Sequence, residues 1–293
     1  MVESKVVCKN IKGIMLKNKK ITAHVHSVFE NVVNLHTEEY GLITCTRKKE
    51  AMVPYGILLS DDFSPESYEI GQTVSISDTY APESEDIYIN VDTVESIDLF
   101  LYKNTGNIDV HELLGVLKLY LKDNSPQFCI GELLFGIREL RLEKIPVNYS
   151  RDIIDSFLPS FEGFIEKIKC AENMDKYKNI LGFGAGLTPS SDDFVLGMLS
   201  VFCFFNDIRH TLLKEYILRY AYTTTEISAN MLSNAFNDNY PSYIIDFFKK
   251  IDVDLKQMED VLDVFAKHGH SSGIDTTYGI YTGLYCMIKD SRK

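Results

Sequence analysis

Two adjacent carboxylates, Asp192 and Asp193, stand within the stretch 181–199, LGFGAGLTPSSDDFVLGML, behind three alternating glycines and a Thr-Pro-Ser-Ser turn. Gly182, Gly184 and Gly186 allow the backbone positive φ and close approach to a ligand without a Cβ in the way. A glycine-rich loop feeding a helix N-terminus leaves unpaired N–H groups and partial positive charge aimed outward, which is a general anion site. The helix start has two readings. Either Pro189 occupies the first turn after Thr188, or Ser190 caps and Asp193 closes an S-x-x-D box. The aspartates limit what can bind, because an anion ~4 Å from either is repelled by about 4 kcal/mol at an effective dielectric of about 20. Loop N–H groups, a Mg²⁺ ion, or a ligand that brings its own N–H donors must offset that. Consecutive helical residues point roughly 100° apart, so one of the two aspartates faces the ligand.

A second loop repeats this logic near the C-terminus, in KHGHSSGID at 267–275. Ser271, Ser272 and Gly273 supply hydroxyls and close-approach backbone. Ser272 and Asp275 form another S-x-x-D cap, and Gly279 and Gly283, four apart, permit tight helix packing. Two such loops predict helix N-termini converging on one cleft. His268 and His270 form an H-x-H pair, as do His24 and His26, a pattern that suits a metal on a strand. No third ligand follows from the spacing, so no metal ligand is assigned. His270 is the candidate proton carrier beside the loop. Gly269-His270-Ser271-Ser272-Gly273 has the G-x-S-x-G spacing, but it follows the helical spacing of 261–266 rather than a strand, as a nucleophile elbow requires, so Ser190, Ser191, Ser271 and Ser272 read as hydroxyl donors or caps rather than nucleophiles. Between the loops, TTTEISANMLSNAF (223–236) interleaves Thr223, Thr224, Thr225, Glu226 and Asn230 with apolar residues. This suits either a cleft lining or a solvated helix start.

The elements that must carry these loops divide the chain in two. From about Ile21 to Leu101, β-type runs (ITAHVHSVF, VVNLHT, GLITCTR, QTVSIS, IYINVDTVESIDLF) alternate with turn segments such as SDDFSPES and APESED. After the polar YKNTGN at 102–107 the apolar spacing becomes helical, through Val110, Leu113, Leu114, Leu117 and Leu121, and again in 157–168, 194–205 and 261–266. The expectation is an α+β protein: a β-rich, barrel-like domain over 1–105, then a mainly α-helical domain over 106–293 that carries both loops. With 293 residues there is length enough for two cores. The formal charge of −12 argues against nucleic acid as a partner. The apolar run at 194–205 is too short to span a bilayer. Six scattered cysteines without C-x-x-C, and a start without the pattern of a secretory signal, predict reduced thiols and a cytoplasmic protein.

Three blocks, GFGAGLTPSSDDFVLG, TTTEISANML and GHSSGIDTTYGIYTGL, occur in this order after an HSVF-type strand at 26–29. Together they resemble the DUF2877 family, which includes a subunit of the bacterial oxamate carbamoyltransferase of allantoin (ureide) degradation. The resemblance implies a multi-subunit enzyme that converts oxalurate and phosphate into oxamate and carbamoyl phosphate. It departs from the family at Ser191, where the block commonly has Gly. Taken with the residue chemistry, it implies binding of carbamoyl phosphate or a carbamoylated substrate by Gly184, Gly186, Thr188, Ser190, Ser191, Asp192, Ser271, Ser272, Gly273 and Asp275. Asp193 and His270 are the expected catalytic groups. No cofactor is required, although Mg²⁺ would be compatible, and the expected partners are a small-molecule substrate and other protein subunits. The rival readings are a non-catalytic metabolite-binding or assembly subunit, and a metal-dependent hydrolase using Asp192, Asp193, His268 and His270.

Overall fold

The computed structural model describes residues 2–81, 86–135, 137–251 and 258–290. Most of the APESED turn segment therefore lies outside the described residues. The chain forms two compact units. Unit 1 comprises Met1–Phe100 with the short return Asn239–Tyr243, and unit 2 comprises Leu101–Asp238 and Ile244–Lys293.

Unit 1 is a seven-stranded barrel with one additional strand. Its elements are β1 (Val2–Cys8), α1 (Lys9–Lys17), β2 (Lys20–Val28), β3 (Val32–Thr37), β4 (Gly41–Thr46), β5 (Gly56–Leu59), β6 (Thr73–Ser77), β7 (Ile87–Tyr88) and β8 (Glu95–Ile97). The strand order is β5-β4-β3-β2-β6-β7-β1. Pairing of β1 with β5 closes the ring, while β8 adds to β1 outside it. Alternation along β2 shows why the sequence folds this way: Ile21, Ala23 and Val25 are buried, whereas Thr22 and His24 face outward. His24 therefore stands on the outer face opposite His36 of β3, with its Nδ1 3.2 Å from Thr73 Oγ1. The first strand and helix precede the region where the sequence shows strand alternation. The pattern of β1 (half-buried, exposed, buried, exposed, then three buried) is too irregular to announce a strand. A second departure is the return segment. Tyr240 donates its N–H to Leu99, and Ser242 donates its N–H to Met52.

Unit 2 is helical: α2 (Val110–Asn124), α3 (Gly131–Leu134), α4 (Arg151–Lys169), α5 (Ser190–Phe204), α6 (Arg209–Tyr220), α7 (Glu226–Ala235), α8 (Ser242–Ile251), which starts within the return segment, α9 (Met258–Ala266) and α10 (Ser272–Asp290). Every residue of α5 is buried, as expected of a helix that is apolar nearly all round. Its partner is α10, buried continuously over 273–286. Glycines bring these two helices to backbone contact. A Cβ on Gly197 would stand 2.1 Å from the Thr276 carbonyl oxygen, and one on Gly279 2.0 Å from that of Phe194. Among the described residues no helix is long and apolar enough to cross a membrane.

Candidate functional site

Close packing of α5 on α10 places the two helix starts side by side, and the two loops touch: Thr188 Oγ1 lies 2.9 Å from Ser272 Oγ. The first loop takes positive φ at Gly182 (85°), Gly184 (122°) and Gly186 (94°). At Gly184 the need for glycine is steric as well, since a Cβ there would sit 2.5 Å from the Ser190 nitrogen. At Gly186 a Cβ would meet open space.

Several expected ligand residues are engaged by the protein itself. Asp192 accepts the Gly182 N–H at 2.8 Å through Oδ1 and the Thr224 hydroxyl through Oδ2. Burial still raises its carboxyl above the usual range, against these hydrogen bonds. Ser191 grips the loop from both sides, accepting the Phe183 N–H on its hydroxyl at 2.9 Å and donating its own N–H to the Phe183 carbonyl at 3.0 Å. The extra hydroxyl at this position thus pins the loop. Gly273 donates its N–H to the His268 carbonyl, and its missing Cβ leaves room for the Phe265 carbonyl of α9. The Thr-rich segment belongs to the same framework. Thr225 caps α7 by accepting the Ser228 N–H and donates its hydroxyl to the Leu187 carbonyl, while Thr223 donates to Tyr220. Neither proposed cap of α5 forms: Pro189 is the N-cap, and no side chain caps the helix.

Two carboxylates are different. Asp193 and Asp275, 1% and 0% exposed, each have an Oδ2 with no hydrogen-bond partner. Asp275 is not spent on its own helix: its Oδ1 accepts the N–H of Ile130, 145 residues away, at 2.6 Å at the start of α3. Burial pushes its carboxyl up to about 7, against the nearby Ser190 and Ser271 hydroxyls, which favour the ionised form without satisfying Oδ2. Asp193 is raised well above the carboxylate range, first by burial and then by the charge of Asp275, with the Ser272 and Thr188 hydroxyls opposing. Like charges in a buried site cannot both ionise cheaply, so ionisation of either carboxyl disfavours that of the other. A protonated Asp193 is a hydrogen-bond donor as well as an acceptor.

Around them lie residues that the sequence did not single out. Glu132 of α3, 4% exposed, accepts four hydrogen bonds: from the N–H groups of Phe128, Asn148 and Tyr149, and from the Asn148 amide. It thereby folds the 128–149 segment towards Asp275. Tyr149 donates to the Phe128 carbonyl at 2.6 Å, and burial, with Asp275 beside it, pushes its phenol up to about 12. Phe183 stacks on Phe157 of α4 at 3.7 Å between centroids. Only the isolated Glu in GELL could have pointed here, as a charge inside an apolar run. His270 is exposed on the second loop. His268 is half-buried, and burial pushes its imidazole down to about 4, which keeps it neutral. Among the described residues, Asp192, Asp193, His268 and His270 do not form a cluster of ligand atoms at metal-binding separations; Cys203, His210 and Asp238 do.

Fold and site together define a protein with an N-terminal β-barrel and a helical unit in which two loop-to-helix junctions meet over a buried carboxylate pair. Residues 180–284 match the family model described as oxamate carbamoyltransferase subunit AllH, and residues 5–98 match that of the AllH family N-terminal domain. The chain belongs to the AllH family, in agreement with the DUF2877 resemblance. No curated protein and no solved structure matches it.

Proposed function

We propose that this chain is the subunit of a cytoplasmic, hetero-oligomeric carbamoyltransferase of the oxamate/oxalurate type that binds the carbamoylated substrate where its two loops meet. The supporting observation is the Asp193–Asp275 pair, with two buried Oδ2 atoms lacking partners between two helix N-termini. A carboxylate accepts from an amide –NH₂ and a carboxylic acid donates to its carbonyl, so the pair complements a ureide. The loop N–H groups of Gly184 and Gly186 suit the anionic end of oxalurate or the phosphate of carbamoyl phosphate. In this reading Asp193 polarises the carbamoyl carbonyl, His270 carries a proton at the exposed rim, and Thr188, Ser190, Ser271 and Ser272 orient the ligand. Ser191, Asp192 and Gly273 shape the loops. No organic cofactor is needed, and an all-oxygen set of this kind would take Mg²⁺ before a softer metal.

The test is phosphate-dependent breakdown of oxalurate, with and without Mg²⁺, by the chain alone and reconstituted with the products of its neighbouring genes. Turnover supports the proposal. No turnover in any combination, together with no binding of carbamoyl phosphate, overturns it. A second reading, an assembly subunit that completes a partner's active site, is favoured by the closure of both carboxylates and by the exposed Leu187 at the loop tip (44%). Asp193→Ala and His270→Ala in the assembled complex separate the two. Lost turnover with intact assembly supports catalysis by this chain, and lost assembly supports the second reading.

A further inference from the structure

Away from the loops, at the opposite end of α5, three side chains of different elements come together: Cys203 in its last turn, His210 in the first turn of α6, and Asp238 just beyond α7. The Cys203 Sγ, one ring nitrogen of His210 and one carboxylate oxygen of Asp238 all lie within 4.8 Å of one another. His210 Nε2 stands 3.6 Å from Asp238 Oδ1, beyond hydrogen-bond range, and both atoms are shielded from solvent without any hydrogen-bond partner. An imidazole nitrogen and a carboxylate oxygen facing each other unpaired are costly unless something sits between them.

The backbone is built to hold this arrangement. Asp238 has φ 57° and Asn206, in the turn from α5 to α6, has φ 53°, both in the left-handed region that favours glycine. The Asp238 main chain is fixed on both sides, its N–H donating to Ala235 and its carbonyl accepting from Leu101. The turn is braced by Arg209, which holds Asp207 through a two-bond contact and reaches the Ile168 and Lys169 carbonyls. Ligand atoms in tetrahedral zinc sites, with bonds of roughly 2.0–2.3 Å, stand about 3.3–3.8 Å apart. The His–Asp separation already falls in that range.

We propose that Cys203, His210 and Asp238 bind a divalent transition metal of the zinc class, with three protein ligands and an open fourth position. Thiolate, imidazole and carboxylate together suit zinc or cobalt and are a poor match for Mg²⁺ or Ca²⁺. Two ammonium groups lie close by: Lys103, held by Asn206 Oδ1 at 2.7 Å, and Lys214, which donates to the Phe236 carbonyl. Thiolate and carboxylate together neutralise the dication, so the two lysines weaken the site relative to an isolated trio and favour an anion in the open position.

The test is titration of the chelator-stripped full chain with Co²⁺, followed by competition with Zn²⁺. The expected result is one equivalent bound with thiolate-to-cobalt charge-transfer absorption and the visible bands of a four-coordinate ion, all removed by Zn²⁺. Cys203→Ser should abolish the charge-transfer band. His210→Gln and Asp238→Asn should each weaken binding at least tenfold, and Cys170→Ser, at the exposed cysteine, should leave it unchanged. No stoichiometric binding, or spectra that survive His210→Gln and Asp238→Asn but vanish with Cys170→Ser, would overturn the proposal. Circular dichroism of each variant keeps loss of fold distinct from loss of a ligand.

Discussion

Replacing Asp275 by Asn removes a charge that burial penalises while keeping the hydrogen bond that the carboxyl makes. Its Oδ1 accepts the Ile130 N–H at 2.6 Å, a role the Asn carbonyl can take over. The native carboxyl titrates at about 7, against 3.8 for the unperturbed group. The folded protein therefore binds a proton that the unfolded chain has released, and the stability contributed by this group falls as pH rises from about 4 to 7, by at most about 1.4 kcal/mol per pH unit. The whole penalty, absent below pH ~4 and complete above pH ~7, is on the order of 4 kcal/mol. Asp275→Asn should thus be within about 1 kcal/mol of the parent at pH 4 and roughly 3–4 kcal/mol more stable at pH 8. Guanidinium denaturation of both proteins across that range reads the difference directly. A parent whose stability is flat or rises between pH 4 and 7, with a variant no more stable at pH 8, would refute the reasoning and place an ionised, fully partnered Asp275 in the site.

Three further outcomes follow from the framework around the pair. Asp192→Asn leaves one acceptor for two donors, the Gly182 N–H and the Thr224 hydroxyl, and should cost about 1–3 kcal/mol; hydrogen exchange at Gly182 should rise with it. Ser191→Gly, which restores the residue usual in the family block, strips the Phe183 N–H of its acceptor and should cost about 1 kcal/mol, read as a lowered Tm without loss of fold. Gly279→Ala drives a Cβ to 2.0 Å from the Phe194 carbonyl, backbone against side chain with no flexible end to yield. It should cost at least the 1–3 kcal/mol typical of overpacking, and an unchanged Tm would contradict the close α5–α10 contact.

Local pattern carried much of this architecture. The β-type runs VVNLHT and GLITCT coincide with β3 and β4, and the apolar helix after the glycine loop is α5. The two Gly-Ser loops were legible as loop-to-helix junctions, and their meeting through Thr188 and Ser272 follows from small residues at Gly197 and Gly279. What local pattern does not carry is the use each polar group finds across the chain. An S-x-x-D spacing suggests caps at Ser190 and Ser272, yet no side chain caps α5, and at the second loop the Asp275 carboxyl accepts the Ile130 N–H while the Ser272 hydroxyl lies against Thr188. Glu132 looks like a surface charge in a short helix until the 128–149 segment folds around it to supply four donors. The return of Asn239–Tyr243 to unit 1 depends on pairing with Phe100, which no period or composition shift records.

The central claim is that the two loops form one binding site. Hydrogen–deuterium exchange of the full chain, alone and in its assembled complex, with saturating oxalurate or carbamoyl phosphate tests it most directly. Residues 182–188 and 269–274 should become protected together in the parent, and neither should respond in Asp193→Ala. Protection of one loop without the other, or of neither in the assembled complex, would contradict it.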